Sequence, residues 1–285
     1  MMQLQTALGE KIKTPILLYN YQIIEEFYND RFSVTVKVQD INTQIFYRAK
    51  IYSKKYMQYT RQVKMIHNEI QILRFLNHQN ISHLHEYFNI KNEDGEKLTV
   101  LIENYYPNGN LLEYKIENEK IKRKIEYGIL QAVSYLHQNN IVHLNINPEN
   151  IFIDDNLNPI LSGFGASKQL KHKYDFYDYS YLSYTCYSPT VCEMNCLPPE
   201  FFFYSYHIFE KKYDIWSVGM VLFYINEKRF PFKKFNRSMM PTITQFMKSD
   251  NKDAMKIIQK CTNINPSLRP DIQTLLNENY FHLSP

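Results

Sequence analysis

Residues 143–152, HLNINPENIF, and residues 161–168, LSGFGASK, form the stretch on whose reading the fold turns. Neither segment is informative alone. They stand in order with six others at consistent separations. YRAKIY (47–52), HNEIQIL (67–73) and LIENYYPNGNLLEY (101–114) precede them, and LPPEF (197–201), KKYDIWSVGMVLFYI (211–225) and NPSLRPDIQTLL (265–276) follow. The text between these segments has matching periodicity. Residues 21–52 read as strands, with Phe32, Val34, Val36 and Val38 alternating with polar neighbours and a turn at Asn42-Thr43. Val63, Ile66, Ile70, Leu73 and Leu76 fall at helical spacing, so a helix is predicted over 60–76. HLHEYFNI and KLTVLIEN read as two further strands around a turn at Asn92-Glu93-Asp94-Gly95.

Beyond Pro107 the character changes. Ile121, Ile125, Ile129, Val133 and Leu136 share one face of a helix predicted over 117–138, with the Lys/Arg run at 120–124 on its solvated side. Residues 214–226, 241–260 and 271–277 also read as helices. The expected organisation is an N-terminal tail over 1–18, a β-rich N-lobe with one helix over 19–103, a hinge at 104–109 and a larger helical lobe over 110–285.

Composition excludes whole classes. The chain has 285 residues, enough for a sizeable core. Lys+Arg 33 against Asp+Glu 29 leaves a net charge of +4, too small and scattered for a nucleic-acid or anionic-membrane surface. The longest apolar run, from Ile215 to Ile225, falls short of the ~20 residues a bilayer needs and is interrupted by Ser217 and Gly219. The start, MMQLQTALGEKIKTP, lacks the hydrophobic core of a signal peptide. Four Cys (Cys186, Cys192, Cys196, Cys261) are too few for a disulfide framework and fit no common zinc spacing. A cytoplasmic protein is expected. Only 7 Gly occur, at 9, 95, 109, 128, 163, 165 and 219. The accompanying excess of Tyr and Asn points to codon bias, so the placement of each Gly carries more information than their number.

Taken together the eight segments resemble the eukaryotic protein kinase family over residues 19–283, with a Ser/Thr, CAMK-like flavour in NHQNISHLHEYF. Eight ordered elements do not align by chance. The resemblance implies an α+β, bilobal protein kinase-like fold with a small β-rich N-lobe and a larger, mainly helical C-lobe. It places Lys50 at the strand-three lysine, Glu69 at its helix partner, Ile102 at the gatekeeper, and Glu103 to Tyr105 in the hinge. His143, Phe164, Leu73 and Leu84 fall in the internal spine, Asp214 at its base, and Glu200 with Arg269 in a buried ion pair.

The chemistry-bearing positions depart from the family pattern. Phosphoryl transfer needs positioning, charge neutralisation and metal ions. The glycine-rich phosphate loop corresponds to Tyr28, Asp30, Ser33 and Thr35, with no Gly between Gly9 and Gly95. Arg48 stands where a small residue roofs the adenine, so the resemblance implies an obstructed nucleotide site. The catalytic Asp corresponds to Asn145, and an amide cannot accept a proton at neutral pH. The phosphate-neutralising Lys corresponds to Asn147, and the Arg that reads a phosphorylated activation segment to Leu144. The metal-binding Asp of D-F-G corresponds to Gly163, which removes the strong anionic ligand that hard Mg²⁺ requires. Asn150, a metal ligand in the family, survives.

The expected function is therefore a catalytically inactive pseudokinase, a scaffold or allosteric partner of other proteins such as an active kinase or signalling complex. No nucleic acid or membrane is implied. No cofactor is expected at the vestigial site of Lys50, Glu69, Ile102, Glu103, Tyr105 and Asn150, with weak, Mg-independent ATP binding as the exception. The alternatives are a divergent low-activity Ser/Thr kinase and a non-catalytic nucleotide sensor. Tyr174, Tyr177, Tyr179, Tyr181, Tyr184 and Tyr187 read as the general tyrosine excess of the chain or, alternatively, as a partner-docking segment.

Overall fold

Val34, Val36 and Val38 point their side chains to one face of a strand, and that face becomes a core. The computed structural model describes residues 2–5, 11–14, 17–29, 33–53, 60–170, 190–203, 211–232 and 243–282. The chain divides into two units, Met1–Asn77 with Ser82–Tyr105, and His78–Ile81 with Tyr106–Pro285. The Tyr174–Tyr187 cluster, Cys186 and Asp30 lie outside the described residues.

In the first unit, β1 (Met2–Gln5) and β2 (Lys11–Thr14) form an antiparallel hairpin. The expected tail over 1–18 is thus partly ordered pairing. A six-stranded antiparallel sheet follows, built from β3 (Leu17–Leu18), β4 (Tyr21–Asn29), β5 (Ser33–Asp40), β6 (Phe46–Ser53), β7 (Leu84–Lys91) and β8 (Lys97–Asn104). Its strand order is β3-β4-β5-β6-β8-β7. The sheet curls until its ends meet. Tyr19 packs edge-on against Phe88 at 4.7 Å, and the Tyr21 hydroxyl donates to Glu86. Inside the curl lie the three valines with Tyr47, Ala49, Ile51, Leu98, Val100 and Ile102. Helix α1 (Thr60–Phe75) runs within the predicted 60–76 and packs beside β7.

In the second unit, α2 (Glu119–Gln138) starts at Asn118, whose side chain accepts from the Ile121 N–H at 2.9 Å. Ile125, Ile129, Val133 and Leu136 are buried as the periodicity predicts. The Lys/Arg run is less idle than a solvated face. Lys122 donates to Glu119 and Asn226, Arg123 to the Tyr280 carbonyl, and Lys124 to the Asn156 carbonyl. Short strands follow, β9 (Ile141–Val142), β10 (Ile151–Ile153), β11 (Pro159–Leu161) and β12 (Lys168–Gln169). Then come α3 (Val191–Cys196), α4 (Pro199–Phe203) and α5 (Lys211–Glu227). The predicted 241–260 helix is two pieces, α6 (Ile243–Phe246) and α7 (Lys252–Cys261), because Asn251 caps the second one through the Ala254 N–H. The last helix is α8 (Ile272–Leu276). Helix α5 is buried from Tyr213 to Ile225, and Gly219 lets α7 approach it. A Cβ at Gly219 would lie 2.6 Å from that of Cys261. Among the described residues no helix is long and apolar enough to cross a membrane.

One buried carboxyl in this unit responds to pH. Glu126 on α2 accepts from Asn226 at 2.7 Å and from the Tyr280 hydroxyl at 2.9 Å. Burial pushes its pKa up to about 7, against those two bonds and the nearby Lys122 charge. The folded state therefore holds a proton that the unfolded chain releases near the ordinary carboxylate value. Stability from this group is present at low pH and is lost as pH rises towards 7, by roughly 3 kcal/mol. Glu126→Gln is expected to flatten that slope. Thermal midpoints of both proteins at pH 5, 6, 7 and 8 would show it, and parallel curves would refute it.

Candidate functional site

On the first unit the functional side chains share the outer face of the sheet. Residues two apart on β6 point the same way, which groups Arg48, Lys50 and Tyr52. The Lys50 ammonium lies 3.5 Å from the Glu69 carboxylate on α1. Tyr52, which the sequence reading passed over, donates its hydroxyl to the same carboxylate at 2.5 Å. Nothing in a tyrosine-rich chain marks that residue out.

The hinge differs by one residue from expectation. Ile102, the expected gatekeeper, sits opposite Ala49 inside the curl and is fully buried. Glu103 sits opposite Arg48, so on the Lys50 face this part of β8 presents a carboxylate and not the isoleucine. A shift of one residue exchanges the faces of a strand. Glu103 is buried and accepts from Arg48 at 2.6 Å and from the Ser82 hydroxyl at 2.6 Å. Burial alone would raise its pKa. The Arg48 guanidinium, Ser82 and Lys50 override that and hold it below the ordinary carboxylate range. Arg48 therefore turns along the sheet and is only 14 % exposed. Tyr105 stacks on Phe27 at 5.8 Å, with the Lys37 ammonium 4.5 Å above its ring. Where a phosphate loop would begin, Tyr28 and Asn29 continue β4 and pair with Thr35 and Val34.

On the second unit the loop after β9 hangs from Asp214 at the start of α5. Its two oxygens accept the His143 and Leu144 N–H groups, each at 2.9 Å, and His137 donates to it at 2.9 Å. The His143 ring meets Phe164 edge-on at 4.7 Å, as the spine positions imply for this unit. Burial pushes the His143 pKa down to about 4, although Asp214 and the Ser162 carbonyl pull it up. The neutral ring accepts the Asn145 N–H at Nδ1 and donates from Nε2 to Ser162. Leu144 takes the left-handed conformation at φ 65° and packs with Val142, Ala166, Leu197 and Tyr213. The position that reads a phosphate in the family is here apolar core.

The three asparagines of the loop bond to one another. Asn147 donates to the Asn145 carbonyl at 3.1 Å and to its side-chain oxygen at 3.0 Å. Its own side-chain oxygen caps the turn Pro148–Asn150 by accepting the Glu149 N–H at 2.9 Å. Asn150 donates to the Asn145 carbonyl at 2.9 Å. Glu149 accepts from Thr190 at 2.9 Å, and Thr190 in turn opens α3 with a capping box to Glu193. That T-x-x-E signal stands in the sequence and was available to find it.

Gly163 has φ 84° and ψ 45°. A Cβ at this position would lie 2.6 Å from the Asn150 side chain. The backbone and the space are both built for glycine. Mg²⁺ requires oxygen anions, and this arrangement does not fit it. Residue 163 offers no side-chain ligand, and the Asn150 side chain stands where the Cβ of a carboxylate residue would begin. Among the described residues no group of three or more His, Cys, Asp or Glu is placed to hold a metal ion.

Comparison with known proteins agrees with the architecture. A family model described as "Protein kinase domain" matches residues 21–281. The serine/threonine-protein kinase polo of Drosophila melanogaster is 28 % identical over 268 residues, spanning 90 % of this chain and 43 % of polo. The carbon catabolite-derepressing protein kinase of Candida glabrata is 26 % identical over 275 residues, 92 % of this chain and 41 % of that protein. The 3-phosphoinositide-dependent protein kinase B of Dictyostelium discoideum is 30 % identical over 255 residues, 84 % of this chain and 26 % of its own length. The chain thus spans less than half the length of each of these relatives. A curled antiparallel sheet with one helix, a mainly helical second unit and a match over almost the whole chain lead to one conclusion: this chain belongs to the protein kinase domain family.

Proposed function

We propose that the chain is a pseudokinase that works by binding other proteins rather than by transferring phosphate. The observation that carries this is the Gly163–Asn150 contact. The site has not merely lost a carboxylate but has filled the space beside it. Asn145 cannot serve as a base, and general-base help is worth roughly 10²–10⁴-fold. Asn147 is buried and spent on capping the loop. Leu144 supports a binding partner that is independent of activation-segment phosphorylation. We place the protein in the cytoplasm, which suits its buried free thiols Cys192, Cys196 and Cys261. The relatives are named as protein kinases, polo as a serine/threonine-protein kinase, and the retained Lys50–Glu69 pair favours a second reading, a divergent kinase of low activity or a nucleotide sensor.

Thermal unfolding with excess ATP, with and without Mg²⁺, beside a radiolabel transfer assay, separates these. Ligand at ~100 times its dissociation constant stabilises by about 2.7 kcal/mol, a shift of several degrees. No shift and no label are expected. A shift without label would establish the sensor. Label that survives chelator and disappears in Lys50→Ala would overturn the proposal.

A further inference from the structure

Glu69 is 1 % exposed, and a buried carboxylate requires partners that replace its lost hydration. Among the described residues two are available, and they are unequal. The Lys50 ammonium stands at 3.5 Å, the outer limit of a hydrogen bond, and its side chain is 24 % exposed. The Tyr52 hydroxyl stands at 2.5 Å, and Tyr52 is 8 % exposed. Short hydrogen bonds to an ionised acceptor are the strong ones, most of all when water is excluded. The Lys50 ammonium also lies 5.0 Å from the centre of the Tyr52 ring. The ring therefore borders both charges.

We infer that Tyr52 is the positioning residue for Glu69 and holds α1 against the sheet whether or not Lys50 is engaged. Two donors two residues apart on β6 converge on one carboxylate at the middle of α1. The tyrosine contributes the bond that geometry makes strong. The lysine contributes a longer contact that leaves its ammonium partly in water. In this chain the placement of the helix is thus uncoupled from the lysine. The inference goes beyond the pseudokinase reading and stands or falls separately, since it concerns α1 in the chain alone.

Hydrogen–deuterium exchange of residues 60–75 in the full chain tests it. Tyr52→Phe keeps the ring and removes the donor, and is expected to speed exchange across α1 by roughly 10- to 100-fold. Lys50→Met is expected to change it less than about threefold, a residual ion-pair effect. Glu69→Gln keeps an oxygen for the tyrosine but loses the charge that attracts the lysine. It is expected to retain part of the protection, since a neutral acceptor weakens the tyrosine bond without removing it, whereas Glu69→Ala loses it all. This pair keeps the test decisive even if Tyr52→Phe fails to fold. The inference is overturned if Lys50→Met loosens α1 as much as Tyr52→Phe does, or if Glu69→Gln loosens it as much as Glu69→Ala.

Discussion

Arg269→Met is expected to destabilise the second unit by ~3–5 kcal/mol, the cost of leaving one member of a buried pair uncompensated. Arg269 is 1 % exposed. Its guanidinium grips both oxygens of Glu200, at 2.6 and 2.7 Å, in the bidentate geometry suited to a carboxylate. Two further donors reach the Asn263 and Lys212 carbonyls, each at 2.9 Å. The guanidinium also lies 5.0 Å from the Trp216 ring. One side chain therefore joins α4, the start of α5 and the turn before α8. Chemical denaturation of the variant checks the magnitude. The double variant Arg269→Met/Glu200→Met is expected to recover part of the loss, because it removes the stranded carboxylate as well. A loss under ~1 kcal/mol in the single variant would show that water reaches Glu200 and that the pair acts like an exposed one.

Residues such as these were legible because their chemistry has few substitutes. Asp214 is placed by order and spacing, and in the structure it accepts the two N–H groups that shape the loop. Glu200 and Arg269 are far apart in sequence yet stand in motifs that name their partner. The helices were legible wherever periodicity ran unbroken, and the 241–260 segment failed at Asn251, whose capping role competes with the apolar repeat.

The sequence reading failed where one residue decides a face. Ile102 and Glu103 are neighbours with opposite fates, and only the pairing of β8 with β6 distinguishes them. It was silent where the partner is itself new. Arg48 appeared as a long side chain over a nucleotide site. That it meets Glu103 and, through it, Ser82 depends on the pairing of β6 with β8, which brings positions far apart in sequence together. Each loss in the catalytic loop was visible at its own position. That Asn147 and Asn150 both donate their side-chain amides to Asn145 was not, since side-chain direction is settled by the loop's backbone.

Gly163→Asp, the change that restores the family's metal ligand in sequence, is expected to destabilise the chain by ~2–4 kcal/mol and to give no gain in Mg²⁺ affinity. The left-handed backbone costs a non-glycine residue about 1–2 kcal/mol, somewhat less for Asp. The larger effect is steric. The new Cβ meets the Asn150 side chain at 2.6 Å, a separation that requires movement, and Asn150 is bonded to the Asn145 carbonyl. Displacing it removes one of that carbonyl's two side-chain donors, Asn147 being the other, and loosens the amide set, adding roughly 0.5–1.5 kcal/mol. The two sites are in contact, so their effects do not add. Asn150→Ala in the Gly163→Asp background is expected to recover at least ~1 kcal/mol, whereas in the wild-type background it is destabilising. Thermal midpoints of the four proteins, each with and without Mg²⁺, measure that coupling and any metal binding together. If Gly163→Asp alone is neutral and is stabilised by Mg²⁺, then Asn150 yields to a carboxylate and the site is one substitution from a metal centre. If the coupling appears without a metal effect, the glycine and the asparagine have become a packing pair, and restoring the carboxylate by itself cannot restore the chemistry.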